Sequence, residues 1–289
     1  LDNQISSLAV YLQTMPPKIH LEQFVAIFRA ARAFSHEATQ SIDCLEDSFL
    51  GIGEEGPSEQ QTQQYVDDIE ATVANYIRLL LDLSINVLNL YDKLPDGKRY
   101  GANLMLFTPD KEGLDVKFAG SLSDSFFNGY LALIKEYSTS SDNDGNEVDK
   151  KMVDKAALPI AKEMQSENGL FNVLPGGPRA FSEGSLIQES DTLEIAAACR
   201  LECNFQNEVY DEIEAFFKEN TDIRSIISLA LTHPIYNSLG VLNLHRDFAV
   251  NSPDLSPPLD QLAIHLAPLM DKIVELLIAK EEKLATINE

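Results

Sequence analysis

From Leu21 the chain repeats small or apolar residues at alternating steps of three and four: Leu21, Phe24, Phe28, Ala31, Ser35, Ala38, Ile42, Leu45 and Phe49. That spacing keeps one stripe on a helix and predicts a long amphipathic one. Gly51-Ile52-Gly53-Glu54-Glu55-Gly56-Pro57 ends it, and Ser58 with Gln61 three residues on is a capping-box signature for a new start. The second helix repeats the spacing through Val66, Ile69, Val73, Tyr76, Leu80, Leu83, Val87 and Leu90, and Ile77, Leu81 and Leu88 widen its stripe. A stripe that broad suits an antiparallel hairpin that also packs on something else. From Leu259 to Ile287 a third helical pattern carries Leu262, Leu266, Leu269, Ile273 and Leu276. Three such stripes predict a homodimer built from the helices, because one sheet face cannot cover them all.

After Leu94-Pro95-Asp96-Gly97 the period changes to two. Tyr100, Ala102, Leu104 and Leu106 predict one strand, and Leu114, Val116 and Phe118 a second, joined into a hairpin by Pro109-Asp110-Lys111-Glu112-Gly113. A helix is expected over Ser125 to Tyr137, then a surface excursion rich in Ser, Asp and Asn over Ser138 to Asp149. Another helix is expected over Lys150 to Gln165, with Pro159 kinking or dividing it. Leu193 to Phe205 alternates and predicts a strand with Cys199 and Cys203 on one face, a short helix follows over Asn207 to Lys218, and Ile223 to Leu231 and Leu239 to Leu244 predict two further strands. The fold class is therefore α+β. Its divisions are a helical hairpin over 1–94, a sheet domain over 95–258 and a C-terminal helix over 259–289 that reads as a connector.

Composition narrows the partners. Lys and Arg number 22 against 46 Asp and Glu, a net charge of −24, so the chain repels phosphate backbones and nucleic acid is not an expected partner. Three cysteines, Cys44, Cys199 and Cys203, make no disulfide framework, and a cytoplasmic location is the default. No stretch reaches the roughly 18 uninterrupted apolar residues of a membrane span, since Asp82, Ser84 and Asn86 break the run from Ile77 to Tyr91. A first residue Leu1 and a last pattern that is still helical read as a piece of a longer protein.

Arg224-Ser225-Ile226-Ile227-Ser228-Leu229-Ala230, then Leu239-Gly240-Val241-Leu242-Asn243-Leu244, then Asp254-Leu255 and an apolar helix resemble the C-terminal half of GAF domains. The resemblance is close over some fifty residues and extends back to Tyr100 in element order only. It implies an antiparallel sheet with helices on one face and a ligand pocket on the other, roofed here by Gly169 to Gly184. It implies a small-molecule-sensing regulatory module rather than an enzyme, with Arg179 as a charge clamp and Tyr130, Phe181 and Phe205 as aromatic walls for a small anionic or polar ligand. Ligand and cofactor stay unnamed.

Two alternatives stand beside this one, a ligand-free dimerisation scaffold and an enzyme like the GAF-type methionine sulfoxide reductases. Four residues apart on a strand, Cys199 and Cys203 would have Cα atoms roughly 13 Å apart and could not pair, which disfavours the enzyme. Both thiols are then expected to be inert and raised in pKa. The five histidines show no metal-ligand spacing, and no Walker loop, nucleophile elbow or Gly-x-Gly-x-x-Gly is present. Arg224 is expected to anchor the acidic helix through Glu212 or Glu214.

Overall fold

The computed structural model describes residues 21–52, 56–92, 98–142, 148, 155–235, 237–250 and 258–288. Half of the surface excursion expected over Ser138 to Asp149, and the Asp254-Leu255 pair, lie outside them.

The helical stripes form as the spacing predicts. Helix α1 is Leu21–Leu50 and α2 is Glu59–Asp92. The capping box closes α2: the Ser58 N–H donates to Gln61 Oε1 at 2.9 Å, and the Gln61 N–H to Ser58 Oγ at 3.3 Å. Strands β1 (Tyr100–Thr108), β2 (Asp115–Val116), β3 (Phe127–Ser140) and β4 (Ala156–Ala161) follow. The second half holds α3 (Gly177–Glu183), β5 (Leu186–Glu189), α4 (Thr192–Glu202), α5 (Asn207–Glu219), β6 (Ser225–His233), β7 (Asn237–Arg246) and α6 (Leu259–Ala285). The seven strands make one sheet in the order β2-β4-β3-β1-β7-β6-β5, antiparallel except at β2–β4.

Period-two alternation sorts the central strands by face. Ala102 and Leu104, Ile227, Leu229 and Leu231, and Leu242 and Leu244 turn to the side of α1, α2 and α6 and share one core with them. That core draws on residues before, within and after the sheet. Leu80, Leu81, Leu266, Leu269 and Ile273 are wholly buried in it, so the stripes behind the expected dimer are covered within the chain. By length and composition α2 could cross a bilayer, but more than half of its apolar stretch is buried inside this core.

A buried ion pair fixes α2 to the sheet. Asp92 ends α2 and Arg246 ends β7, with Arg246 Nε at 2.6 Å from Asp92 Oδ2 and Nη2 at 2.8 Å from Oδ1, both side chains 0% exposed. Gly240 is needed where β7 crosses β1, since a Cβ there would sit 2.2 Å from the Met105 carbonyl.

Four sequence expectations are corrected. The helix expected over Ser125 to Tyr137 is a strand from Phe127 on, after a short 3-10 turn over Asp124–Phe126, because Leu131 and Leu133 turn to one face and Tyr130 and Ala132 to the other. The helix expected over Lys150 to Gln165 gives way, in its described part, to β4 (Ala156–Ala161) and a bend after it; Pro159 fits there because β2 reaches only Ala156 and Ala157, leaving β4 an edge at that residue. No β1–β2 hairpin forms, since β2 pairs parallel with β4. Leu193 to Cys203 is largely the helix α4, capped by Asp191, which accepts from the Leu193 N–H. There the burial runs Thr192, Ile195, Ala196, Cys199, a helical period, and Leu193 and Leu201 of the alternating set are exposed.

Candidate functional site

On the sheet face away from α1 and α2, the chain leaves a cavity of about 170 Å³ beneath α3, α4 and α5. Its floor is the other parity of the central strands: Asn103 and Met105, Ile226 and Ser228, Asn243 and His245. Leu133, Leu158, Leu174, Ile195, Ile213 and Phe217 wall it, and half-buried Lys117, Phe118, Phe216 and Ile223 stand on its solvent side. A volume of about 150 Å³ lined by aliphatic and aromatic side chains is enough to hold benzene.

Three polar residues break the apolar lining in one cross-strand row. Asn103 pairs with Asn243 between β1 and β7, and Asn243 with Ser228 between β7 and β6. Ser228 Oγ donates to Asn243 Oδ1 at 2.7 Å, and Asn243 Nδ2 to Asn103 Oδ1 at 3.0 Å. Over this row lies Gly176-Gly177. Gly176 has φ 73 and ψ −127, a region closed to side chains, and a Cβ on Gly177 would stand 3.5 Å from Asn243 Oδ1. The Gly-Gly turn thus brings backbone down onto the polar row.

Glu189, at the end of β5, shares this wall. Burial pushes its carboxyl above the ordinary carboxylate range, while the hydrogen bond from the Gly176 backbone and the charge of Arg179 pull it part of the way back. On the solvent side Phe118 has φ 58, a left-handed conformation that costs a bulky residue roughly 1–3 kcal/mol. Its ring meets Phe216 edge-on at 5.5 Å. Strain held at a cavity wall is a feature of sites whose shape matters.

The sequence-predicted site residues are not brought together. None of Tyr130, Arg179, Phe181 and Phe205 lines the large cavity. Tyr130 lies on the opposite parity of β3 from Leu131 and Leu133, packed with Phe127. Phe181 stacks on Phe107 at 5.1 Å inside a core, and Phe205 packs on Tyr210. Arg179 sits on α3, bonded to Glu183 Oε1 at 2.8 Å and lying 4.0 Å over the Phe171 ring. Of the expected roof over Gly169 to Gly184, Leu174, Pro175, Gly176 and Gly177 line the cavity, and Gly177–Glu183 is the helix α3. Arg224 binds Asp191 at 3.0 Å through both carboxylate oxygens and not Glu212 or Glu214, so it secures the α4 cap.

Arg179 borders a second, smaller cavity of about 40 Å³ with Cys199, Cys203, Glu189 and Glu202. Here the strand reading failed with consequences. At the end of α4 the Cys203 N–H donates to the Cys199 carbonyl at 2.8 Å, and both thiols border this small cavity. Hydrogen bonding to Cys203 and then burial push the Cys199 thiol up, whereas hydrogen bonding to Cys199 pulls the Cys203 thiol down against the cost of burial. The expectation that both are raised holds for Cys199 only, and their mutual distance no longer speaks against redox chemistry.

The polar row and Glu189 escaped sequence reasoning. Asn243 and Ser228 stood inside quoted strand motifs, and a polar residue recurring at one parity of apolar strands is the signal that could have found them.

No protein-family profile and no curated protein matches the chain. Solved structures do match. One of them is the GAF domain of a two-component sensor histidine kinase from Bacillus halodurans, similar over 68% of this chain and 96% of that one, at 16% identity and a TM-score of 0.32. A likeness that distant adds nothing to what the geometry says.

Proposed function

We propose that this chain is a regulatory module that senses a small molecule in the cavity over β1, β7 and β6. The observation that carries this is the preformed cavity of about 170 Å³, apolar on its walls and polar along one row of its floor, the combination expected of a small-ligand site. The GAF-like motifs of residues 224–244 agree with it. A route for a signal exists in β7: Asn243 faces the cavity, and Arg246, three residues on, grips Asp92 at the end of α2. A ligand that shifts the row would bear on the helices through that pair. Native mass spectrometry of freshly purified protein tests the reading by finding a retained small molecule. A melting temperature indifferent to every compound of a broad metabolite panel, together with an empty spectrum, would leave the dimerisation scaffold in its place.

One observation favours a second reading, a methionine sulfoxide reductase: Cys199 and Cys203 border one cavity. The cavity beside them, about 40 Å³, holds one or two waters and not an amino acid, so the sensor reading leads. Consumption of free methionine sulfoxide with a thiol reductant, abolished by Cys203→Ser, would reverse that order.

A further inference from the structure

Resting on the sensor reading, we propose that the cavity selects a compact uncharged molecule of the phenol class: one aromatic ring carrying one hydroxyl. Size sets the first limit. At about 170 Å³ the space is a little larger than one known to hold benzene, of about 150 Å³, and far short of a nucleotide or a tetrapyrrole. The walls set the second. Phe118, Phe216 and Phe217 meet edge-on at 5.5 and 5.1 Å, an arrangement that offers ring edges and faces to a further ring.

The hydroxyl follows from hydrogen-bond valence on the floor. Ser228 Oγ gives its single proton to Asn243 Oδ1 and so meets the cavity as an acceptor. Asn243 Nδ2 spends one of its two protons on Asn103 Oδ1 and keeps one to give. An O–H that donates to Ser228 and accepts from Asn243 satisfies both, and a bare hydrocarbon satisfies neither. Charge excludes the acids. The Glu189 carboxyl stands in the wall. Of the nearby cations, Lys117 is tied to Asp115 at 2.8 Å, and Arg179 is held by Glu183 and does not line this cavity. A carboxylate ligand would face the Glu189 carboxyl across the cavity, with the lining cation Lys117 already paired to Asp115.

Calorimetry and thermal shift on the full chain with phenol, benzene and benzoate test this. Phenol should bind roughly five- to tenfold tighter than benzene, the worth of one or two neutral hydrogen bonds, and benzoate should not bind. Ser228→Ala should weaken phenol and leave benzene unchanged, so that benzene binding reports the folded cavity. Glu189→Gln, on the half-buried rim strand, should keep phenol and admit benzoate. Benzene binding as tightly as phenol, or Ser228→Ala leaving their ratio unchanged, would overturn the hydroxyl recognition while the sensor reading stands. Benzoate binding best to the unmutated protein would overturn the charge argument alone. If none of the three binds, and Ile213→Trp raises the melting temperature by filling the space, the cavity is closed core and the sensor reading falls with the ligand class.

Discussion

Replacing Asp92 by Asn keeps the shape of the side chain and removes the charge that Arg246 is buried against. The guanidinium has two bonds to Asp92, at 2.6 and 2.8 Å, and a third contact to Ser225 Oγ at 3.5 Å, with no solvent exposure. Breaking one partner of such a pair leaves an uncompensated cation in the core, at a cost of about 3–5 kcal/mol. Against a total stability of about 5–15 kcal/mol that is a large fraction. At about 2–4 °C per kcal/mol for a chain of this size, the melting temperature should fall by roughly 6–20 °C. The pair's net contribution is a different quantity, because both charges were desolvated to form it. The double variant Asp92→Leu with Arg246→Met should therefore recover most of the loss. Urea unfolding followed by circular dichroism, on the two single variants and the double at low and high salt, separates these terms. The buried pair should also be insensitive to salt, unlike the surface pairs. A loss under about 1 kcal/mol in Asp92→Asn, or a double variant whose loss is the sum of the two singles, would refute the reasoning.

Asp82 offers a pH signature. Burial pushes its carboxyl up to about 6 despite the Thr139 hydroxyl and Arg78, so the folded state holds the proton more tightly than the unfolded chain. Its contribution to stability is full below about pH 4 and is lost as pH rises through about 6, worth at most about 3 kcal/mol and about 1–2 after solvent screening of a partly exposed group. Asp82→Asn should match the unmutated protein near pH 4 and exceed it by that margin at pH 7 to 8; a gap that stays constant with pH would count against it. Thiol labelling should reach exposed Cys44 first and, in a Cys44→Ser background, Cys203 before Cys199; peptide mapping that finds the tag on Cys199 would reverse the assignment. Leu80→Asp puts a charge into a wholly buried position and should unfold the chain rather than merely separate subunits, so a folded monomer by sedimentation and circular dichroism is the outcome that sinks it.

The sequence by itself determined the elements whose signal is local and long. The α1 and α2 stripes, the Ser58–Gln61 capping box, β6, β7 and the α6 pattern are written in spacing alone, because a long amphipathic period leaves little else to fold into. Even α4 was legible from its cap: Asp191 with Glu194 three residues later is a start signal, and it outweighs the alternation of Leu193, Ile195 and Ala197. The tertiary structure decided what lies beside what. That β4 is an edge at Pro159 and that β1 sits between β3 and β7 depend on pairings between distant segments. The site was hidden for the same reason. Asn103 and Asn243 are 140 residues apart, and only strand register aligns them with Ser228 on one face of the sheet. Arg179, by contrast, looked like a ligand clamp in a Gly-rich loop until the short helix α3 turned it onto Glu183 and Phe171. Period fixes which residues share a face of an element, whereas packing alone fixes which faces meet around an empty space.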